Sequence, residues 1–222
     1  MNFLDLCKKA HTESGLSGAG PSTVINQTGV TNRMIRYVER EWRRIQGLHD
    51  SWLFMRNQVS VAMTIGQREY DPAVDWLIAD FDLPYTDTLK YSDNTGSLRF
   101  IEWQDWTRGN YDLAATVQIG KPGAFTWSPQ QTIIFDRQPE AAYQIQLEYN
   151  RAPQSLAVDG DVPIIPARFH DLIVYAAVIR FAKFDKDKEL EQTATTDYEE
   201  WLSKLEASQL PPLQFAKSRY AS

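Results

Sequence analysis

The side chains that most often bind metals or act as nucleophiles are few in this chain and lie far apart. His11, His49 and His170 lack the spacing of metal ligands or of a catalytic constellation, so we expect satisfied structural histidines. Cys7 is the only cysteine, which excludes an internal disulfide and a cysteine-built metal site. Because Cys7 falls on the apolar stripe of a predicted helix, we expect a buried structural thiol.

Two groups of carboxylates invite a metal-binding interpretation. Asp185, Asp187 and Glu189 are spaced like the start of a calcium-binding loop, but its sixth position holds leucine where glycine is required. Asp159 and Asp161 flank a glycine, a pattern typical of a turn. We therefore predict no metal, no cofactor, no catalytic residue and no enzymatic activity.

One concentrated basic patch is the clearest candidate for binding. Apolar residues at helical spacing predict a helix from about Gly29 to His49. Two interpretations of its opposite face remain open. The face is solvated and balanced by Glu39 and Glu41, or it binds an acidic surface, either a neighbouring subunit or nucleic acid held by phosphate charge alone. The residues of this face are Arg33, Arg36, Arg40, Arg43 and Arg44.

Composition narrows the class of protein. The 222 residues are 43% hydrophobic and 12% aromatic, values typical of a globular chain that buries a core. A net charge of −6 argues against a dedicated nucleic-acid-binding protein, which would normally be basic. The chain has neither the layout of a signal peptide nor a membrane-spanning candidate, so we expect a soluble protein made in the cytoplasm, without a membrane partner.

The elements that position these side chains are mainly helices. Residues 2–14 form a predicted short helix with Asn2 as its N-cap. The stretch from Phe169 to Phe184 is apolar nearly all round, so it must be covered by other elements or by other copies of the chain. Residues 187–209 form a last predicted helix with one apolar stripe and charges elsewhere.

Between the helices the pattern changes to short alternating segments. Tyr143–Asn150 has the period of two of a half-buried strand. Alternation from Val59 to Ile65 ends at Gly66-Gln67, which we interpret as a hairpin turn leading to Tyr70. We predict four or five short strands. The tryptophans of this region are expected in a core or an interface instead of a sugar-stacking platform; they are Trp52, Trp76, Trp103, Trp106 and Trp127.

A proline-rich link and an extended tail complete the chain. Pro153, Pro163 and Pro166 give the link a fixed extended path. Two further prolines stop the last helix and begin a tail, residues 210–222, whose apolar side chains favour docking on a partner. The residues assigned to this docking are Leu210, Pro211, Pro212, Leu213, Phe215, Arg219 and Tyr220.

These elements predict an α+β fold. A helical bundle of N-terminal helices plus two long C-terminal helices carries an inserted small antiparallel β-domain and an extended C-terminal tail. The predicted divisions are residues 1–55 for the N-terminal helices, 56–150 for the inserted β-rich domain, 151–209 for the link and C-terminal bundle helices, and 210–222 for the tail.

A series of packing and turn motifs runs through the chain in a fixed order. The motifs are Leu4-x-Leu6-Cys7 with Gly15, Trp52-x-Phe54-Met55, Gly66-Gln-Arg-Glu-Tyr70, Phe135-Asp136-Arg-Gln-Pro139, Tyr149, Pro153, Leu156, Asp159-x-Asp161-x-Pro163-x-x-Pro166, Phe169-His170 and Ala176-Ala177. In this order they resemble the head-to-tail adaptor, or connector, proteins of tailed bacteriophages. The resemblance spans most of the chain.

The resemblance implies a structural virion protein at the neck, assembled in the host bacterial cytoplasm. Such proteins form a ring, dodecameric by resemblance, beneath the portal, joining capsid to tail and leaving a channel through which DNA passes without sequence-specific contacts. The implied partners are the portal protein, neighbouring copies and a downstream tail or neck protein. The C-terminal extension of such proteins typically clasps the portal, and residues 210–222 match that role in place and character.

Three rival functions come from other classes. One is another virion neck, tail or baseplate protein. A carbohydrate-active enzyme would use tryptophans and carboxylates in a deep cleft. A nucleic-acid-binding module would use the arginine helix and would bind DNA in a salt-sensitive way.

Overall fold

Helices lie towards both ends of the chain and short strands between them. The computed structural model describes residues 1–71, 89–93, 95–109, 118–130 and 132–210, which form five helices and nine strands. The helices are α1 (Phe3–Glu13), α2 (Gly29–Gln46), α3 (Trp103–Arg108), α4 (His170–Asp185) and α5 (Lys188–Gln209). The strands are β1 (Arg56–Ala62), β2 (Glu69–Tyr70), β3 (Leu89–Tyr91), β4 (Arg99–Phe100), β5 (Gln118–Ile119), β6 (Ala124–Trp127), β7 (Ile133–Phe135), β8 (Arg137–Gln138) and β9 (Gln144–Asn150). The predicted α+β class is confirmed.

The chain divides into two compact units. The helical unit is Met1–Met55 with the described chain from Pro153 onward, and the β unit is Arg56–Ala152. Among the described residues, no helix is long and apolar enough to cross a membrane.

α4 is the central helix of the helical unit. It packs against α1, α2 and α5. Its buried side chains, which include Leu172, Val174 and Phe181, are distributed around most of the helix. The sequence left open whether other elements of the chain or other copies of the chain bury this apolar helix. The structure shows that other helices of the same unit bury it.

The N-cap predicted from sequence stabilises the first turn of α1. Asp5 donates its backbone N–H to the Asn2 side chain at 2.8 Å, and Asn2 donates its own to the Asp5 carboxylate at 3.2 Å. This reciprocal pair satisfies two of the N–H groups that the first turn of a helix leaves without partners. The N-cap prediction for Asn2 is confirmed.

The proline-rich link is held against α2 by one buried side chain. The Gln46 side chain accepts the backbone N–H of Gln154 at 2.6 Å and donates to its carbonyl at 2.9 Å. The Gln46 side chain thus satisfies both backbone polar groups of Gln154, as a neighbouring strand would.

The turn at Asp159 and Asp161 joins the link to α1. The Asp161 carboxylate accepts two backbone N–H groups, from residues 157 and 158, at 2.6 and 2.8 Å, and these bonds lower its pKa. The carbonyls of Asp159 and Asp161 accept the N–H groups of Leu4 and Phe3 at 3.2 and 2.7 Å. The predicted turn is therefore present, and it caps α1.

Strand β9 organises the three-stranded sheet of the β unit. β9 lies between β1 and β3, antiparallel to both, and its Ile145, Leu147 and Tyr149 are buried while the residues between them are exposed. A second sheet has the order β2-β7-β6-β4, and β5 pairs with β8. The β4–β6 and β5–β8 pairs are parallel, and the other pairs are antiparallel.

The strand predictions need two corrections. The described residues form nine strands instead of four or five, because most of them span only two to four residues, too few to show alternation. The turn at Gly66 is present, but β1 and β2 are not a hairpin, since β1 pairs with β9 and β2 with β7. Gly66 donates its N–H to the Pro139 carbonyl at 2.9 Å, so the turn passes the chain from one sheet to the other.

The tryptophans do not all belong to the β unit. Trp52 is fully buried in the core of the helical unit and donates its indole N–H to the Ile45 carbonyl at 3.1 Å, because it folds back on α2 before β1 begins. Trp106 is fully buried in the β unit, and Trp103 and Trp127 are partly buried there. Core packing is confirmed for Trp52 and Trp106, whereas Trp76 lies outside the described residues.

Candidate partner-binding surfaces

The arginine face of α2, defined as Arg33, Arg36, Arg40, Arg43 and Arg44, lies on the surface of the helical unit. The opposite side of α2 is buried, with Val38, Trp42 and Ile45 completely covered. Arg33 is half-buried, and the other four arginines are exposed. The helical spacing that predicted this division of α2 is confirmed.

Two arginines at the ends of this face have modest partners. The Arg33 guanidinium lies 3.6 Å from the centre of the Phe184 ring, a cation–π contact that joins α2 to the end of α4. Arg43 lies 3.8 Å from the Glu39 carboxylate, and because both groups are partly exposed, the pair adds little stability.

Glu41 is a buried bridge between α2 and α4. Its side chain is 1% exposed and accepts from Arg44 at 3.0 Å and from Arg180 of α4 at 2.6 Å. The hydrogen bond raises the pKa of Arg44. The interpretation that placed Glu41 on a solvated face was therefore wrong, because this position faces α4, where Arg180 compensates the buried charge.

Arg36 and Arg40 are the uncompensated centre of the arginine face. Within the described ranges neither has an ion-pair partner. They are one helical turn apart, an arrangement of like charges that costs a helix about 0.2–0.5 kcal/mol. An acidic partner would therefore remove a repulsion as well as add an attraction.

α5 presents the opposite charge. Its buried residues are Ala194, Tyr198 and Leu205, which directs the other side of the helix to solvent. We define the acidic face of α5 as the exposed residues Glu189, Glu199 and Glu200 on that side.

Most of this acidic face is uncompensated. Glu200 pairs with Lys204 at 2.5 Å, while Glu189 and Glu199 have no ion-pair partner in the part of the chain that the structure describes. α5 carries six acidic residues against two lysines, a net charge of −4, whereas α2 carries five arginines against two glutamates, a net charge of +3.

The three histidines belong to different segments of the helical unit. His170 is 1% exposed, with its Nε2 3.2 Å from the Ile165 carbonyl, and burial lowers its pKa. His49 lies 2.9 Å from the Glu206 carboxylate. His11 departs from the prediction of a satisfied histidine: it is buried, and its Nδ1 has no hydrogen-bond partner among the described residues.

The other side chains considered for chemistry have structural roles. Cys7 is completely buried in the helical core, which confirms the predicted buried thiol, and burial raises the pKa of this thiol to about 12. Asp187 is the N-cap of α5, accepting the Leu190 N–H at 3.0 Å. Among the described residues, no three His, Cys, Asp or Glu side chains are grouped so that they could hold a metal ion.

The structure reaches only the first residue of the predicted docking tail. Leu210 follows the end of α5, donates its N–H to the Glu206 carbonyl at 3.0 Å and packs, half-buried, against the helical core. The other six residues assigned to docking lie outside the described residues: Pro211, Pro212, Leu213, Phe215, Arg219 and Tyr220.

Sequence reasoning missed the acidic face of α5. It placed the charges of this helix away from the apolar stripe and assigned them no role. The signal was present in the spacing, since residues 189, 199 and 200 lie opposite the apolar stripe and only one lysine pairs with them. Only ion-pair geometry and burial distinguish Glu189 and Glu199 from Glu191, which pairs with Lys188.

Comparison with known proteins gives one family for the whole arrangement. The model of the SU10 adaptor protein family matches residues 1–215, and this match covers the β unit and every helix described above. A search among curated proteins finds no match. The resemblance to bacteriophage head-to-tail adaptors that the motifs indicated is confirmed. The chain therefore belongs to the SU10 adaptor protein family, a family of structural phage adaptors.

Proposed function

We propose that this protein is a head-to-tail adaptor that forms a ring beneath the portal, joins capsid to tail and leaves a channel for DNA. The observation that carries the proposal is the family match over residues 1–215. A protein of this kind acts in the neck of the virion and binds the portal above and a tail or neck component below.

The surfaces available for contact between subunits support a ring. Subunits related by rotation meet through two different patches, one on each side of every copy. The apolar surface of α4 is buried inside the helical unit, so it is not one of these patches. Charged surfaces on α2 and α5 remain available for contacts between copies.

We propose that residues 210–222 dock on the portal. Leu213, Phe215 and Tyr220 are large apolar side chains in a segment that the paired prolines exclude from α5. Burial of such side chains supplies roughly 1.5–3 kcal/mol each, which favours contact with a partner. Arg219 adds one positive charge close to the end of this segment.

The net charge of −6 suits a channel through which DNA slides. Acidic side chains repel the phosphate backbone, so the genome would pass without sticking to the wall. A channel wall that proved to be mostly basic would contradict this part of the proposal.

The deciding measurement is the mass of the purified protein, alone and mixed with the portal of the same phage. We expect a complex that contains several copies of this chain for each portal ring. A protein that leaves the mass of the portal unchanged would overturn the proposed function.

Truncation tests the docking segment. Removal of residues 211–222 should leave the helical content and the unfolding midpoint unchanged but abolish portal attachment. The variant Phe215→Ala/Tyr220→Ala should weaken attachment, and Lys217→Ala/Ser218→Ala in the same segment serves as its matched control. Full attachment by the truncated chain would contradict the assignment of this segment.

A further inference from the structure

The geometry points to a second copy of this chain as the partner of the arginine face. We propose that the arginine face of α2 in one copy docks on the acidic face of α5 in the next copy of the ring. This inference rests on the proposed function, because it identifies the contact by which the ring closes.

Charge complementarity within one chain carries the proposal. Arg36 and Arg40 are exposed and have no ion-pair partner among the described residues, and the same holds for Glu189 and Glu199. Two patches of opposite sign thus lie on two helices that share one hydrophobic core. Contacts between such patches fix the register of an interface and speed its formation.

The signs of the two faces also limit the type of contact. Two arginine faces repel each other, and so do two acidic faces, so only the cross contact between unlike faces is attractive. A two-fold dimer could make this contact reciprocally, whereas the proposed ring repeats it head to tail, with the arginine face of each subunit on the acidic face of the next. Such a heterologous contact forms a ring when its rotation closes.

Nucleic acid is the alternative occupant of the arginine face. The acidic face of α5 would repel a phosphate backbone that approached the helical unit, and the protein as a whole has a net charge of −6. A second copy of the chain needs no additional partner, because it brings the matching negative surface with it. DNA binding is therefore an outcome of the test below.

Charge reversal on each face tests the contact. We expect that Arg36→Glu/Arg40→Glu and, separately, Glu189→Arg/Glu199→Arg each reduce the portal-bound ring at least about tenfold, because like charges then face each other. The measurement is native mass spectrometry of the full-length chain mixed with portal. Far-UV circular dichroism and the unfolding midpoint show whether each variant is folded.

Two rescues separate a specific contact from a general loss of assembly. The chain that carries both reversals should form rings again, because every contact is restored with its sign inverted. An equimolar mixture of the two single-face variants should also form rings, in which the variants alternate. Wild-type assembly should weaken as ionic strength rises from about 0.1 M to about 1 M, where the Debye length falls from about 10 Å to about 3 Å.

The double reversal Arg99→Glu/Arg108→Glu, at exposed positions of the β unit, should leave ring formation intact. If wild type forms rings and the single-face variants do so equally well, the proposed function stands and the contact between α2 and α5 is wrong. Failure of both rescues in folded variants also overturns the contact, as does salt-sensitive DNA binding lost with Arg36 and Arg40 while rings persist. If wild type itself forms no ring on the portal, the proposed function fails and the contact fails with it.

Discussion

The helical unit and the β unit are stabilised in different ways. In the helical unit, α1, α2, α4 and α5 share one continuous apolar cluster that also includes Trp52 and the link. The buried residues of the β unit fall into two separate clusters, one around Phe125 and Phe135 and a smaller one around Trp106. The long helices therefore enclose one large core, whereas the β unit, in which most strands have two to four residues, contains two smaller cores.

Bonds from side chains to the backbone hold the short strands of the β unit in place. The Asp136 carboxylate accepts the N–H groups of Gly123 and Ala124 at 2.9 and 3.1 Å, where β6 begins. The Tyr91 hydroxyl donates to the Pro122 carbonyl at 2.5 Å, and the Tyr70 hydroxyl accepts the Thr64 N–H at 2.8 Å. Strands this short form few ladder bonds, so individual polar side chains fix the path of the chain.

The largest effect should come from the core of the helical unit. Trp52→Ala removes a fully buried side chain and its bond to Ile45, and should lower the free energy of unfolding by about 3–5 kcal/mol. Urea unfolding followed by circular dichroism measures the loss. Trp52→Phe keeps most of the apolar volume and should cost less. A loss below about 1 kcal/mol for Trp52→Ala would mean that the cluster is not one cooperative core.

In the β unit, removal of a polar side chain that binds the backbone should destabilise the fold more than removal of an exposed one. Asp136→Ala leaves two backbone N–H groups without their acceptor and should cost about 1–3 kcal/mol. Hydrogen exchange of the β6 and β7 amides should increase. Asp105→Ala, which removes an exposed carboxylate 3.9 Å from Arg108, is the matched control and should cost at most about 0.5 kcal/mol. Equal effects of the two substitutions would contradict the role given to Asp136.

The smallest expected effect is the contribution of one histidine of the helical unit to the pH dependence of stability. Burial lowers the pKa of His170, so the folded protein disfavours its charged form. The contribution of this histidine is complete above its unfolded pKa of about 6.5 and is lost as pH falls below that value towards the folded pKa. Unfolding free energies measured between pH 7 and pH 5 should decline in wild type. His170→Gln should decline less, and a decline as steep as that of wild type in this variant would contradict the role given to His170.

Prediction from sequence succeeded where residues repeat over several turns. The apolar spacing of α2, the stripe of α5 and the cap at Asn2 were all readable, because local sequence alone determines which face of a helix is apolar. It failed for β5 and β8, whose two residues cannot show a period. It also failed for Glu41, because a charged residue at the margin of a helix face is buried only when another element supplies its counter-charge.

The sequence by itself determined the α+β class, the helical framework, the inert cysteine and the family. These follow from composition, from periodic patterns and from motifs in a fixed order. Only the tertiary structure decided that α4 is covered by its own unit and that β1 pairs with β9. It also decided that Arg36, Arg40, Glu189 and Glu199 have no ion-pair partner among the residues it describes. The reason is that burial, strand pairing and charge compensation depend on residues distant in the chain, and a single sequence does not specify which of them meet.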